Sequence, residues 1–314
     1  MTDPSPLDAL ATIEFGAGLQ AGLLTLVVGV VAGVVWRLVR GKPLPAAGLL
    51  LAGGAVWGLN EAVSLPPGLF QGLVALAGAG LVAGTLPTSR TAGLLLAIPG
   101  AWALTSQGDL FEAEWIRWLV IAGTVVGGTL VADFDRRWRD AGFSPVLIAV
   151  SVVGVYVTVP DTEQALVLLG VSLPLMLLGW PSALAGLGSA GSYAAVGLLA
   201  WTAAAGGSAR PSSIVGGVAC LGLLAVEPLA RAATPAASRV LDAAAGQWWG
   251  AVAVGVSHLV LVFVASRVAG LQPGAGEAAV IVSVELCLAV AATMALGRLW
   301  DRADPSLVGH GGGW

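Results

Sequence analysis

The chain has 314 residues, of which 57% are apolar and 10% charged, with a formal net charge of -4. A soluble domain carries about 25% charged residues to cover its outside, so a mean hydropathy of +0.90 leaves too little polar surface for an ordinary water-soluble fold. The few basic residues form no stripe or patch that could follow a phosphate backbone, which excludes nucleic acid as a partner.

A helix rising ~1.5 Å per residue needs ~20 apolar residues to cross a ~30 Å hydrocarbon core. Uncharged intervals of about that size run along the whole chain, from 15–36 through 43–60, 62–89, 91–108, 118–132, 141–160, 164–209, 211–226 and 243–266 to 278–297, the last holding one Glu. The stretch 164–209 is too long for one span and suits two, divided near Trp180, Pro181 and the glycines at 186, 188 and 191. The expected fold is therefore an all-α polytopic integral membrane protein with eleven transmembrane helices. They fall at 15–37, 44–60, 65–85, 91–106, 114–132, 144–160, 164–180, 190–206, 212–229, 248–267 and 278–298.

Lys and Arg in short loops stay cytoplasmic, and this rule orients the chain. With the N-terminus outside and the C-terminus in the cytoplasm, the inner connections collect Arg37, Arg40, Lys42, Arg90, Arg136, Arg137, Arg139, Arg231, Arg239, Arg298 and Arg302. Only Arg117, Arg210 and Arg267 fall outside, and joining 164–209 into one span worsens that split. Asp3, Asp8 and Glu14 precede the first span without any basic residue, unlike a cleavable signal peptide, so the segment is expected to be retained. The cytoplasmic connection 230–247 contains Thr234-Pro235, an N-cap and first-turn pair, and reads as a short interfacial helix ahead of Trp248 and Trp249. A multi-pass protein of the cell membrane, in contact with its lipid, is the resulting expectation.

Small residues four apart, Gly29 with Gly33, Gly80 with Gly84 and Gly123 with Gly127, are expected to let helices of the same chain approach closely. Pro66 and Pro87 bracket the third span as Pro160 and Pro181 bracket the seventh, an echo that chance accounts for in a chain so rich in proline and glycine. Cys220 and Cys287 lie in apolar stretches and read as small hydrophobes.

The candidate functional residues are few. His258 in the tenth span and Glu285 in the eleventh are ionisable groups at mid-span, where they are costly and usually face a bundle interior or a water path. Counted from Arg267 and Glu277, both lie ~12–14 Å deep, so they are expected to pair as a proton relay, a substrate contact or a structural tie. Pro99-Gly100 and Pro174 fall inside spans and could open helices onto a cavity, as broken helices do in transporters. Asn60, Glu61 and Glu227 sit at span ends, where solvation explains them as well as function does. Asp133-Phe134-Asp135 has the Asp-x-Asp form that can hold a metal, but neighbouring arginines offer salt bridges instead, so no metal ligand or cofactor is expected. No His-Glu-x-x-His, Cys-x-x-Cys, P-loop or Gly-x-Ser-x-Gly occurs. With nearly all its mass in apolar spans, the chain reads first as a transporter, flippase or permease for a small or lipid-linked substrate. The alternatives are a non-catalytic membrane subunit or scaffold of an envelope assembly complex, with a protein partner in the membrane, and an integral membrane enzyme acting on a lipid.

Overall fold

A computed structural model describes residues 13–303 apart from 63, 64, 66, 67, 86–89, 107–113, 140, 141, 159–162, 207–221, 246–251, 253, 254, 261, 265, 266 and 268–274. The fold is all-α. Its helices are α1 (Ile13–Arg40), α2 (Ala47–Ala62), α3 (Leu69–Thr85), α4 (Arg90–Thr105), α5 (Glu114–Trp138), α6 (Ser144–Thr158), α7 (Glu163–Gly179), α8 (Ser189–Gly206), α9 (Gly222–Ala233), α10 (Pro235–Ala245) and α11 (Ala275–Ala303). Residues 255–260 form a further helical segment that carries His258.

The 46-residue stretch 164–209 contains two helices, α7 and α8, separated by an ordered turn. Within that turn, Ala185–Gly186 (β2) pairs in parallel with Leu44–Pro45 (β1) between α1 and α2. Two segments, Phe15–Arg40 and Arg117–Trp138, are long and apolar enough by themselves to cross a membrane. Several others are shorter, α3 and α7 having 17 residues each, roughly 26 Å of helix, whereas α11 has 29.

Helix α8 is apolar on every side, so burying it all round is the only way to remove its surface from the exterior. Tyr193, Ala195, Val196, Leu198, Leu199 and Trp201 are all at least 97% buried. It sits among α2, α3 and α5, while α1 lies against α2 and α7. Glycine makes these approaches close. A Cβ on Gly48 in α2 would stand 2.5 Å from the Gly191 backbone of α8, and one on Gly170 in α7 would stand 2.7 Å from Leu19 N of α1. Of the small-residue pairs, Gly29 meets Leu178, Gly33 meets Leu184, Gly80 meets the Ser189 carbonyl and Gly84 the Ser189 side chain, all within the chain, whereas Gly123 faces open space. The outward face of α1 is lined by Val27, Val31, Leu38 and Val39, which are 60–82% exposed.

Two distinct groups of contacts lie toward opposite ends of α5. At one end the 37–45, 133–142, 179–188 and 227–242 segments meet. At the other end, Arg117 of α5 stacks on Trp102 of α4 at 4.0 Å and donates to Thr105. There too, the Gly68 turn lies against the Ala103 carbonyl. Pro66, Pro87, Pro160, Cys220, Trp248, Trp249, Asp3 and Asp8 lie outside the described residues.

Candidate functional site

The densest polar grouping gathers at the first of these ends, around the last turns of α5. The sequence Asp133-Phe134-Asp135-Arg136-Arg137-Trp138-Arg139 winds so that residues four apart share a face. That spacing brings Asp135 to Arg139 and stacks Phe134 on Trp138 at 5.6 Å between ring centres.

Asp135 is fully buried. Its Oδ2 accepts from Arg139 Nη2 at 2.7 Å and Nε at 3.0 Å and from Gly188 N at 3.0 Å, while Oδ1 accepts from Leu187 N at 2.8 Å. Four N–H donors converge on the carboxylate, three on Oδ2 and one on Oδ1. The turn that supplies the two amides is shaped to do so. Trp180-Pro181 is cis, and Gly188 has φ +73°, a conformation that excludes a side chain because its Cβ would run into the Pro45 carbonyl. Arg37 at the end of α1 donates to the Ser182 carbonyl at 3.2 Å, and Leu44 N donates to the Leu184 carbonyl at 2.9 Å. Three parts of the chain thus hold one turn.

Glu227 forms the second buried node. Sequence reasoning placed it, like Asn60 and Glu61, in a solvated position at a helix end. Asn60 and Glu61 are indeed exposed at the end of α2, but Glu227 is 5% exposed. Arg137 Nη1 donates to both its oxygens at 2.9 and 3.0 Å, and Arg231, one turn on, donates through Nε. Arg231 reaches further, to Asp242 and to Ser238 Oγ on α10. Burial works against the Arg231 charge, yet its bonds to Asp242 and Glu227 outweigh that and hold the guanidinium above its ordinary pKa. Helix α10 starts where the Thr234-Pro235 pair predicts, with Ala237 N donating to Thr234 Oγ1 at 3.3 Å. By this chain of contacts α5, α9 and α10 become one unit.

Asp133, two residues before Asp135, is quite different. Its partner Arg136 is 37% exposed and sits at 3.4 Å, and it also donates to the Ala83 carbonyl of α3. The two aspartates of the Asp-x-Asp pattern therefore point to different surroundings. Among the described residues no three His, Cys, Asp or Glu side chains gather into a metal site.

His258 is fully buried, and its Nε2 lies 2.9 Å from Ser151 Oγ on α6. Ser151 Oγ also donates to the Leu147 carbonyl at 2.9 Å, which ties the imidazole contact to α6. Nδ1 has no hydrogen-bond partner. Glu285 is half-buried on α11 and makes no hydrogen bond or ion pair to a described residue. The structure does not join His258 and Glu285 by a hydrogen bond; the serine is the histidine's partner. Depth along the membrane normal was the only coordinate the sequence supplied for this pair, and α6 meets the His258 face instead.

Helices α4 and α7 run unbroken through Pro99 and Pro174. Pro99 is exposed, and Gly100 is buried where a Cβ would meet Leu76 N of α3 at 2.9 Å. The glycine thus serves helix contact at this position. Pro174 is buried, with its ring facing Gly22 of α1. A small cleft of about 10 Å³, room for one water, lies beside it, with Leu51, Pro145, Ile148, Ser172 and Leu175 in its walls.

No protein family matches the sequence, and no curated protein resembles it. Function has to be argued from the geometry alone.

Proposed function

We propose that this is a multi-pass membrane protein with eleven spans that serves as a non-catalytic subunit or scaffold, holding partner proteins in the bilayer. The observation that carries the scaffold reading is the use made of its buried carboxylates. Asp135 and Glu227 are taken up by arginines and backbone amides that tie helices together, so their charges are already matched within the chain. Charges placed for transport or catalysis are instead left accessible to the group they act on.

Two observations support the membrane setting. Valines and leucines up to 82% exposed line the outer face of α1, a surface suited to lipid rather than water. In addition, the segments with Arg37, Arg137, Arg139 and Arg231 meet at one end of the bundle, where alternating spans would place all four in the cytoplasm. Short helices such as α3 and α7 fall at the lower limit of ~17 residues for a span.

Transport is the second reading, favoured by one feature. Fully buried His258 keeps Nδ1 free of hydrogen bonds, as a proton-handling group could. The deciding experiment purifies the protein from native membranes in mild detergent and, in parallel, reconstitutes it alone in proteoliposomes. A fixed partner at constant stoichiometry supports the scaffold. Proton flux through the reconstituted protein that His258→Gln abolishes would overturn it in favour of transport.

A further inference from the structure

The last helix carries a face that the described residues leave uncovered. Helix α11 rests on α9 and α10. On another side it presents Ile281, Val284 and Leu288, which are 36%, 51% and 64% exposed, with the exposed small residues Ala291, Ala292 and Ala295 further along. An apolar surface of this kind alone asks only for lipid. Glu285 asks for more: it is half-exposed beside Val284 and Leu288, and it bonds to no described residue. Ten residues from the helix start at Ala275, it lies ~15 Å along the axis, beyond the reach of headgroups and water in a spanning helix.

The missing group can be characterised by its charge. The basic residues of α11, Arg298 and Arg302, stand 13 and 17 residues away, roughly 20–25 Å along the axis, too far to reach. His258 is occupied with Ser151. A second copy of the chain, related by a two-fold axis along the membrane normal, would bring Glu285 against Glu285 and set two acids together. The complement is a cation supplied from elsewhere. Resting on the scaffold reading above, we propose that this face of α11 docks a transmembrane helix of a different protein, one that carries a lysine or arginine at the depth of Glu285. The alanines let the two backbones come close, and the ion pair sets register and partner choice.

The test uses full-length protein with a fluorophore at its C-terminus, reconstituted in liposomes. It is titrated with labelled 21-residue Leu-Ala transmembrane peptides bearing a central Lys, Leu or Glu, and association is read by energy transfer. The Lys peptide is expected to associate about tenfold more tightly than the Leu peptide, the scale of one intramembrane polar contact. Glu285→Gln should remove most of that preference, and Glu285→Lys should transfer it to the Glu peptide. Leu288→Trp, a change on an exposed position that leaves the core alone, should weaken the Lys peptide by steric block. Equal association of the three peptides, or a Lys preference that survives Glu285→Gln, overturns the docking proposal. Self-association of the protein that excludes the Lys peptide overturns it too, in favour of a second copy. None of these outcomes touches the scaffold reading, which stands or falls on the native partner and the flux measurement.

Discussion

The two aspartates of the Asp-x-Asp segment provide a sharp contrast, because they are two residues apart and the structure assigns them unequal work. In Asp135→Asn the amide keeps the shape and one accepting oxygen but replaces the other with a donor, which then faces either the Leu187 amide or Arg139 together with the Gly188 amide. One bond is lost in the first orientation and three in the second, and in either the Arg139 charge loses its carboxylate. Hydrogen bonds to charged groups contribute about 1.5–3 kcal/mol each, and breaking one side of a buried pair costs about 3–5 kcal/mol, so a loss of about 3–5 kcal/mol is expected. Asp133→Asn removes a pair at 3.4 Å whose arginine is 37% exposed, worth about 0–1 kcal/mol. At about 2–4 °C per kcal/mol, the midpoint in detergent should fall by roughly 6–20 °C for Asp135→Asn and by no more than a few degrees for Asp133→Asn. The assay is thermal unfolding followed by fluorescence-detected size exclusion. Equal shifts for the two variants would refute the assignment of Asp135 as the anchor of the 180–188 turn, and a loss of divalent-cation binding in both would point to a metal pair instead.

Single cysteines near Ser106, Asp161 and Gly274 should react with an impermeant maleimide added outside intact cells, whereas those near Gly41, Thr88 and Ser306 should react only after permeabilisation. Reversal at 274 and 306 alone would reduce the span count to ten. Gly48→Val should prevent folding, because even its Cβ would lie 2.5 Å from the Gly191 backbone, while Gly123→Ala, with nothing within 4 Å, should fold as well as the parent. The yield of monodisperse protein compares the two.

Much of the architecture is legible along the chain because hydrophobic length and charge placement are one-dimensional quantities. The stretch 164–209 exceeds one helix by its length alone, and the structure divides it at Gly179 and Ser189. Thr234-Pro235 specifies a helix start through local hydrogen bonding, so α10 begins there. Asp135 with Arg139, and Glu227 with Arg231, are four apart and can be paired on paper. What a helix faces is another matter. Depth is counted in residues, but the direction of a side chain around the axis has meaning only once neighbouring helices are placed. Glu227 therefore reads as a solvated helix end until Arg137, 90 residues away, is brought to it. Counting along the chain sets His258 and Glu285 at one expected depth, yet Ser151, 107 residues away, takes the imidazole. Pro99 and Pro174 carry the local signature of a break, but close packing against α3 and α1 accompanies continuous helices at both. Among the described residues, the sequence by itself determined most of the helical segments and where the basic residues cluster, since both follow from local composition. Only the tertiary structure decided which buried charges meet, because those pairings join residues distant in the chain through the packing of whole helices.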